Sequence, residues 1–228
     1  MNDLAQKLIE ELQCETVFTI PVLGGIPVSE AVVVTWIIMA VLVIVAFILT
    51  RNLKVDHISK RQAVAESIVT GLMNMVQGMV GEKGRKYVHY LTTVMLYIGV
   101  SNIIGLFGFK SPTKDLRVTV ALALMSIILI EAAGIYHKGV KRWLHGFVEP
   151  VAIVTPINIL EVVTKPLSLC MRLFGNVLGA FVIMELLKMI LPVGLPVVFS
   201  LYFDIFDGLL QAYVFVFLTS LYIDEITE

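Results

Sequence analysis

Arg172 is the residue that most constrains what this chain can do. It stands in Pro166-Leu167-Ser168-Leu169-Cys170-Met171-Arg172-Leu173-Phe174-Gly175-Asn176, within one of the most apolar regions of the sequence. A guanidinium keeps its charge, with a pKa above ~12, and a cation near the bilayer centre costs about 2.5–3.5 kcal/mol on insertion scales. A chain that carries such a cost is expected to use the charge. The chemistry it suits is holding or repelling an ion-binding carboxylate on a partner. Glu161, Lys165, Ser168, Arg172, Asn176 and Gly179 step by three or four residues and share one helical face. That stripe fits an aqueous path or a charged partner, and its glycine lets another helix approach. Glu161 lies three turns from Arg172 and nearer Lys165, while Glu185 falls on roughly the opposite face, beside Lys188. The plainer reading, an internal acidic partner that locks two helices together, stays open.

Asp204, Asp207 and Gln211 fall at i, i+3 and i+7 of a later apolar segment, again one helical face. Counted from the intervening turn at 1.5 Å per residue, Gln211 is about 21 Å along its helix and Arg172 about 29 Å along its own, so they can be neighbours. The two aspartates then line a water-filled outer mouth, or else satisfy each other near an interface. Asn102 reads as glue between helices. Glu131 reads equally as lining an inner aqueous path or as meeting the interface. His57, His89, His137 and His145 show no metal spacing, and Cys14 and Cys170 suggest neither a metal site nor a disulfide. There is no serine–histidine constellation, Walker loop or dinucleotide fingerprint, so no cofactor or metal is expected.

The elements that must position these residues are those of a membrane protein. Of 228 residues, 58% are hydrophobic and only 15% charged, against roughly 25% charged in soluble domains. Mean hydropathy is +0.91. The net charge of −1, with its basic residues clustered between apolar segments, argues against a nucleic-acid partner. Residues 2–13 pattern as a short amphipathic helix, and 16–26 as an extended stretch turning at Gly24-Gly25. Ser29 is a candidate N-cap for a first span over 30–50. Spans are expected over 87–107, 116–136, 157–190 and 197–223, each long enough to cross a ~30 Å core. Residues 58–80 alternate polar Gln62, Glu66, Thr70, Asn74 and Gln77 with apolar Val64, Ile68, Leu72, Met75 and Met79, which suits an interfacial amphipathic helix. The fold class is therefore all-α integral membrane: five spans, an interfacial helix and a long tilted C-terminal hairpin. Residues 1–28 form an outer N-terminal segment and 29–228 a single polytopic domain. The start lacks the basic and short apolar regions of a cleavable signal peptide, so the first span is expected to be retained.

Lysine and arginine placement orients the chain. With the N-terminus outside, inner segments carry Arg51, Lys54, Lys60, Arg61, Lys83, Arg85, Lys86, Lys138, Lys141 and Arg142, whereas outer segments carry Lys7, Lys110, Lys114 and Arg117. The C-terminus is then inside.

Several of these residues carry a resemblance. The run Ser168–Asn176 resembles the signature of subunit a of F-type ATP synthases. Pro156-Ile157-Asn158-Ile159-Leu160-Glu161, Ser101-Asn102-Ile103-Ile104-Gly105-Leu106, Ser111-Pro112-Thr113-Lys114-Asp115 with the eight residues after it, and Leu210-Gln211-Ala212 are similar to that family in order and spacing. The resemblance implies a stator against a rotating ring of c subunits, held by b-type peripheral stalk subunits. Two offset half-channels would carry ions to and from the ring. It implies that Arg172 is the essential ion-translocating arginine, that Asn176 and Gln211 flank it, and that Asp204 holds a titratable position. Asp207, Glu185, Glu161, Ser168, Asp115 and Glu131 join the expected ion pathway. The family often has an acid or histidine nine residues after the arginine; here that position is Phe181, and Glu185 one turn further is the candidate substitute. Such a subunit belongs to an enzyme without holding its nucleotide-hydrolysing site. The expected setting is an energy-transducing membrane, such as a bacterial plasma membrane. The choice of H⁺ or Na⁺ rests mainly on the ring's own binding site. The rival class is a stand-alone secondary transporter whose Arg172 binds an anionic substrate, but the inverted repeat common in such folds is not visible.

Overall fold

Long runs of leucine, isoleucine, valine and alanine have no water with which to satisfy their backbone inside a bilayer, so each such run must close its own hydrogen bonds as a helix. A computed structural model of the chain describes residues 16–20, 26–51, 59–107, 109, 111–146, 155–190 and 195–227. The expected helix over 2–13 and the Gly24-Gly25 turn lie outside these residues. Strands β1 (Thr16–Ile20) and β2 (Ile26–Ser29) pair antiparallel, with Thr16 opposite Ser29 and Ile20 opposite Ile26. Helix α1 (Glu30–Thr50) follows, then the amphipathic α2 (Lys60–Met79). A 3-10 turn (Glu82–Tyr87) leads into α3 (Val88–Ile103), which tightens again over Ile104–Phe107. After α4 (Leu116–Lys138) and the short α5 (Val140–Gly146) comes α6 (Thr155–Ile190). The last unit is α7 (Leu195–Ser200), a π-helical segment (Leu201–Asp207) and α8 (Gly208–Thr227). Five helical stretches are long and apolar enough to cross a membrane, and the chain is an all-helical integral membrane protein apart from its hairpin.

The caps follow local chemistry with one exception. Ser59 Oγ accepts the backbone N–H of Gln62 and starts α2, and Asp115 Oδ1 accepts that of Arg117 at 2.9 Å and starts α4. Gly139, at φ 77°, ends α4 in a conformation that a side chain would disfavour. Ser29 does stand at the N-cap position of α1, yet its hydroxyl makes no capping bond. It donates instead to Asp115 Oδ2, 2.9 Å away and 86 residues on. The hairpin is thereby tied to the start of α4.

The core lies where α3, α4, α6 and α8 converge. Ile98, Ile130, Leu169, Leu173, Val216 and Ile223 are essentially inaccessible there, and Cys170 is a small buried member of the same core. By contrast α1 is covered only near its start, at Ala31, Val34 and Ile38, and turns Val43, Ile44 and Phe47 outward. In α2 the apolar Val64, Ile68 and Met75 are exposed while Gln62 is buried. An apolar face turned out from the protein is what an interfacial helix offers to lipid.

Candidate functional site

Two polar systems are built on the C-terminal unit, one on each side of Arg172. The first begins at Asn102, buried at the end of α3. Its Nδ2 donates to the carbonyl of Gly208 at 2.9 Å, and its Oδ1 accepts from Thr113 Oγ1 at 2.7 Å. Ser111 Oγ, 2.7 Å from Thr113 Oγ1, donates to the carbonyl of Ser101 at 2.7 Å. Asn102 is thus glue between helices, as expected. The approach is possible because residue 208 has no side chain: a Cβ there would lie 2.7 Å from Asn102 Cβ.

The π segment ends at this contact. Its wide turn, with i→i+5 bonding, breaks the 3.6-residue phase. Asp204, Asp207 and Gln211 consequently meet different surroundings, rather than forming the single polar line that helical spacing suggests. Asp207 accepts two bonds from Asn176 Nδ2 on α6, at 2.9 Å to Oδ1 and 2.8 Å to Oδ2. Asp204 is turned to the end of α3, where a Cβ on Gly105 would lie 3.3 Å from its Oδ1, and the charge of Lys114 reaches it. Gln211 is buried at 7% exposure.

Arg172 itself is exposed on α6. Among the described residues it has no hydrogen bond and no ion pair, so the internal lock left open by the sequence is not formed there. Ser168, one turn away on the same face, is also exposed, and a Cβ on Gly175 or Gly179 would meet nothing within 4 Å. The face carrying the arginine is clear enough for another helix to lie against it. Nine residues beyond Arg172, the ring of Phe181 sits 4.6 Å under the ammonium of Lys114. Glu185 is half-buried one turn further along.

The second system lies towards the other end. Lys165 Nζ is 3.1 Å from Glu225 Oε2 and 4.0 Å from Glu161 Oε1, and stands 5.2 Å from the centre of the Tyr222 ring. Trp143 Nε1 donates to Glu131 Oε2 at 2.8 Å. Glu131, Trp143, Glu161, Lys165 and Glu225, with Asn158, Lys138 and Arg142, line a cleft of about 470 Å³. The structure therefore gathers Glu131 and Glu161 into one place and adds Glu225, which the sequence reading did not single out. Asp115, by contrast, is committed to capping α4 and to Ser29, with 7% exposure. No cluster of histidine, cysteine or acidic residues suited to a metal occurs among the described residues.

The ATP synthase A chain family model matches residues 32–224. The sodium-ion-specific ATP synthase subunit a of Propionigenium modestum is 35% identical over 87% of this chain and 74% of its own length. ATP synthase subunit a of Moorella thermoacetica is 35% identical over 88% of this chain and 92% of its own. ATP synthase subunit a 1 of Crocosphaera subtropica is 30% identical over 86% and 85%. With the free arginine on its open face and this extent of match, the chain belongs to the ATP synthase A chain family.

Proposed function

We propose that this chain is the ion-translocating stator of an F-type ATP synthase, and that Arg172 faces a ring of c subunits that each carry one carboxylate. The observation that carries this reading is the exposed guanidinium with no counter-ion among the described residues of its own chain, on a helix face open at Gly175 and Gly179. A fixed cation at ~4 Å attracts a carboxylate by about 4 kcal/mol at an effective dielectric constant of 20. That attraction lowers the carboxylate's pKa, so a ring site passing Arg172 releases its ion and cannot carry it past. Ions must then board and leave on opposite sides of the arginine.

The outer half-channel in this reading runs by Lys114, Asp204, Asp207 and Asn176, with Glu185 beyond Phe181. The inner one is the cleft of Glu131, Glu161, Lys165 and Glu225. Gln211 backs the arginine and Ser168 lines the ring side. Each charge crossing 100 mV supplies about 2.3 kcal/mol, and rotation sums several such steps. Held by b-type stalk subunits in a bacterial plasma membrane, the chain has its N-terminus outside and its C-terminus in the cytoplasm, as its basic residues suggest. Its ion, H⁺ or Na⁺, is set mainly by the ring. In inverted vesicles, Arg172→Ala should abolish ATP-driven ion pumping while the detached headpiece still hydrolyses ATP. Full coupled pumping in that variant would refute the assignment.

A further inference from the structure

Lys165 stands seven residues before Arg172 on α6. At 1.5 Å and 100° per residue, that is about 10.5 Å along the helix and only about 20° around it, with Glu161 about 20° to the other side. A lysine so placed would show a passing carboxylate a second cation beside the arginine. The two residues differ in cover, however. Arg172 is exposed, whereas the side chain of Lys165 is 14% exposed. Its ammonium is drawn across to α8, 3.1 Å from Glu225 Oε2 and 5.2 Å from the centre of the Tyr222 ring, and stands farther, at 4.0 Å, from Glu161 Oε1. Two features of α8 favour that direction. Tyr222 and Glu225 are three residues apart and share a helical face. The last turn of α8 holds Asp224 and Glu225 but no basic side chain, and the negative end of a helix dipole attracts a cation.

We propose that Glu225 is a positioning residue of the translocation site: it holds the Lys165 ammonium against α8, so that a ring carboxylate meets a single cation, Arg172, on this face. The inference rests on the stator reading above. Without Glu225 the remaining close partner of Lys165 is Glu161, which lies on the arginine's own face. The ammonium then adds to the arginine in favouring the ionised ring carboxylate, and the ring site binds its ion more weakly. At ~10 Å and an effective dielectric constant of about 20, weakened over about one Debye length of salt, one unit charge changes that affinity about threefold.

The test is ATP-driven pumping in inverted vesicles carrying the whole complex. Na⁺ is varied at fixed pH, and pH is varied without Na⁺, to read the ion concentration that half-saturates the rate. Glu225→Gln should raise that concentration about threefold, and Lys165→Gln, which leaves Glu225 uncompensated, should lower it by about the same factor. Combining the two substitutions restores the charge balance and should return the value to that of the unaltered complex. A value that Glu225→Gln does not move overturns the inference. So does a double variant no better than the worse single one, because the pair is then only a clasp between helices. Arg172→Ala is measured alongside: pumping in that variant refutes the stator itself, whereas lost pumping there with an unmoved Glu225→Gln refutes only the role given to Glu225. Should Glu225→Gln fail to assemble, the sign of the Lys165→Gln shift decides alone.

Discussion

Removing the clasp between Asp207 and Asn176 should weaken coupled pumping by an amount the geometry sets. One amide nitrogen donates to both carboxylate oxygens, at 2.9 and 2.8 Å, so the pair counts as a single shared charge-assisted bond. In water-soluble proteins such bonds contribute about 1.5–3 kcal/mol. Between membrane helices, double-mutant cycles give a mean near ~0.6 and a maximum near ~1.7 kcal/mol, because partially unfolded states in lipid find other partners. A charged acceptor puts this pair in the upper part of the membrane range, about 1–1.7 kcal/mol, or roughly 5–20-fold at 25 °C. Asn176 is one helical turn from Arg172, so losing the clasp frees the arginine's stretch of α6 to shift against α8. ATP-driven pumping in inverted vesicles should therefore fall by that factor for Asp207→Ala and for Asn176→Ala. The double variant should fall no further than the worse of the two. Asp207→Asn, which keeps an acceptor oxygen, should retain most activity. Losses that simply add in the double variant would show that the two side chains act independently, and the reasoning would fail.

Four further outcomes follow from the same contacts. Asp115→Asn should leave pumping nearly intact, because the amide oxygen can still cap α4, whereas Asp115→Ala should lower the melting temperature by a change worth about 1 kcal/mol; abolished pumping in Asp115→Asn would instead place that carboxylate on the ion path. Gly208→Ala drives a methyl to 2.7 Å from Asn102 Cβ and should destabilise the chain by about 1–3 kcal/mol, read as thermal denaturation of the purified complex. Trp143→Phe keeps an aromatic ring but strands Glu131, costing about 0.5–1.5 kcal/mol by the same measurement. Lys165→Gln removes the ammonium that Glu161 and Glu225 share and should slow pumping, while Lys165→Arg should restore it; equal rates for both variants would exclude a charge requirement.

Much of the architecture was legible in the sequence because its causes are local. Spans announce themselves by length, and the stripe from Glu161 to Gly179 by its period. What stayed hidden depends on partners far along the chain. Leu201-Tyr202-Phe203-Asp204-Ile205-Phe206-Asp207 contains no glycine or proline to signal a widened turn. The turn meets its reason in Asn102, held against Gly208 from another helix. Ser29 occupied its anticipated position and spent its hydroxyl elsewhere, on Asp115. Lys165 was matched by spacing to Glu161, yet its shorter contact is to Glu225, 60 residues later. Only the fold reveals the Trp143 indole bonded to Glu131. The aromatic at Phe181 could be read as a departure from the family, but its cover by Lys114 could not.

The length of α6 has a consequence for anything that moves past it. Thirty-six residues make a rod of about 54 Å, nearly twice the ~30 Å hydrocarbon thickness. Kept within that slab, a straight rod leans about 56° from the normal and extends about 45 Å sideways. Neighbouring packed helices stand 8–10 Å apart, so one such beam is long enough to be brushed by four or more passing helices in turn. A single fixed charge on it can then be left by one visitor only as the next arrives.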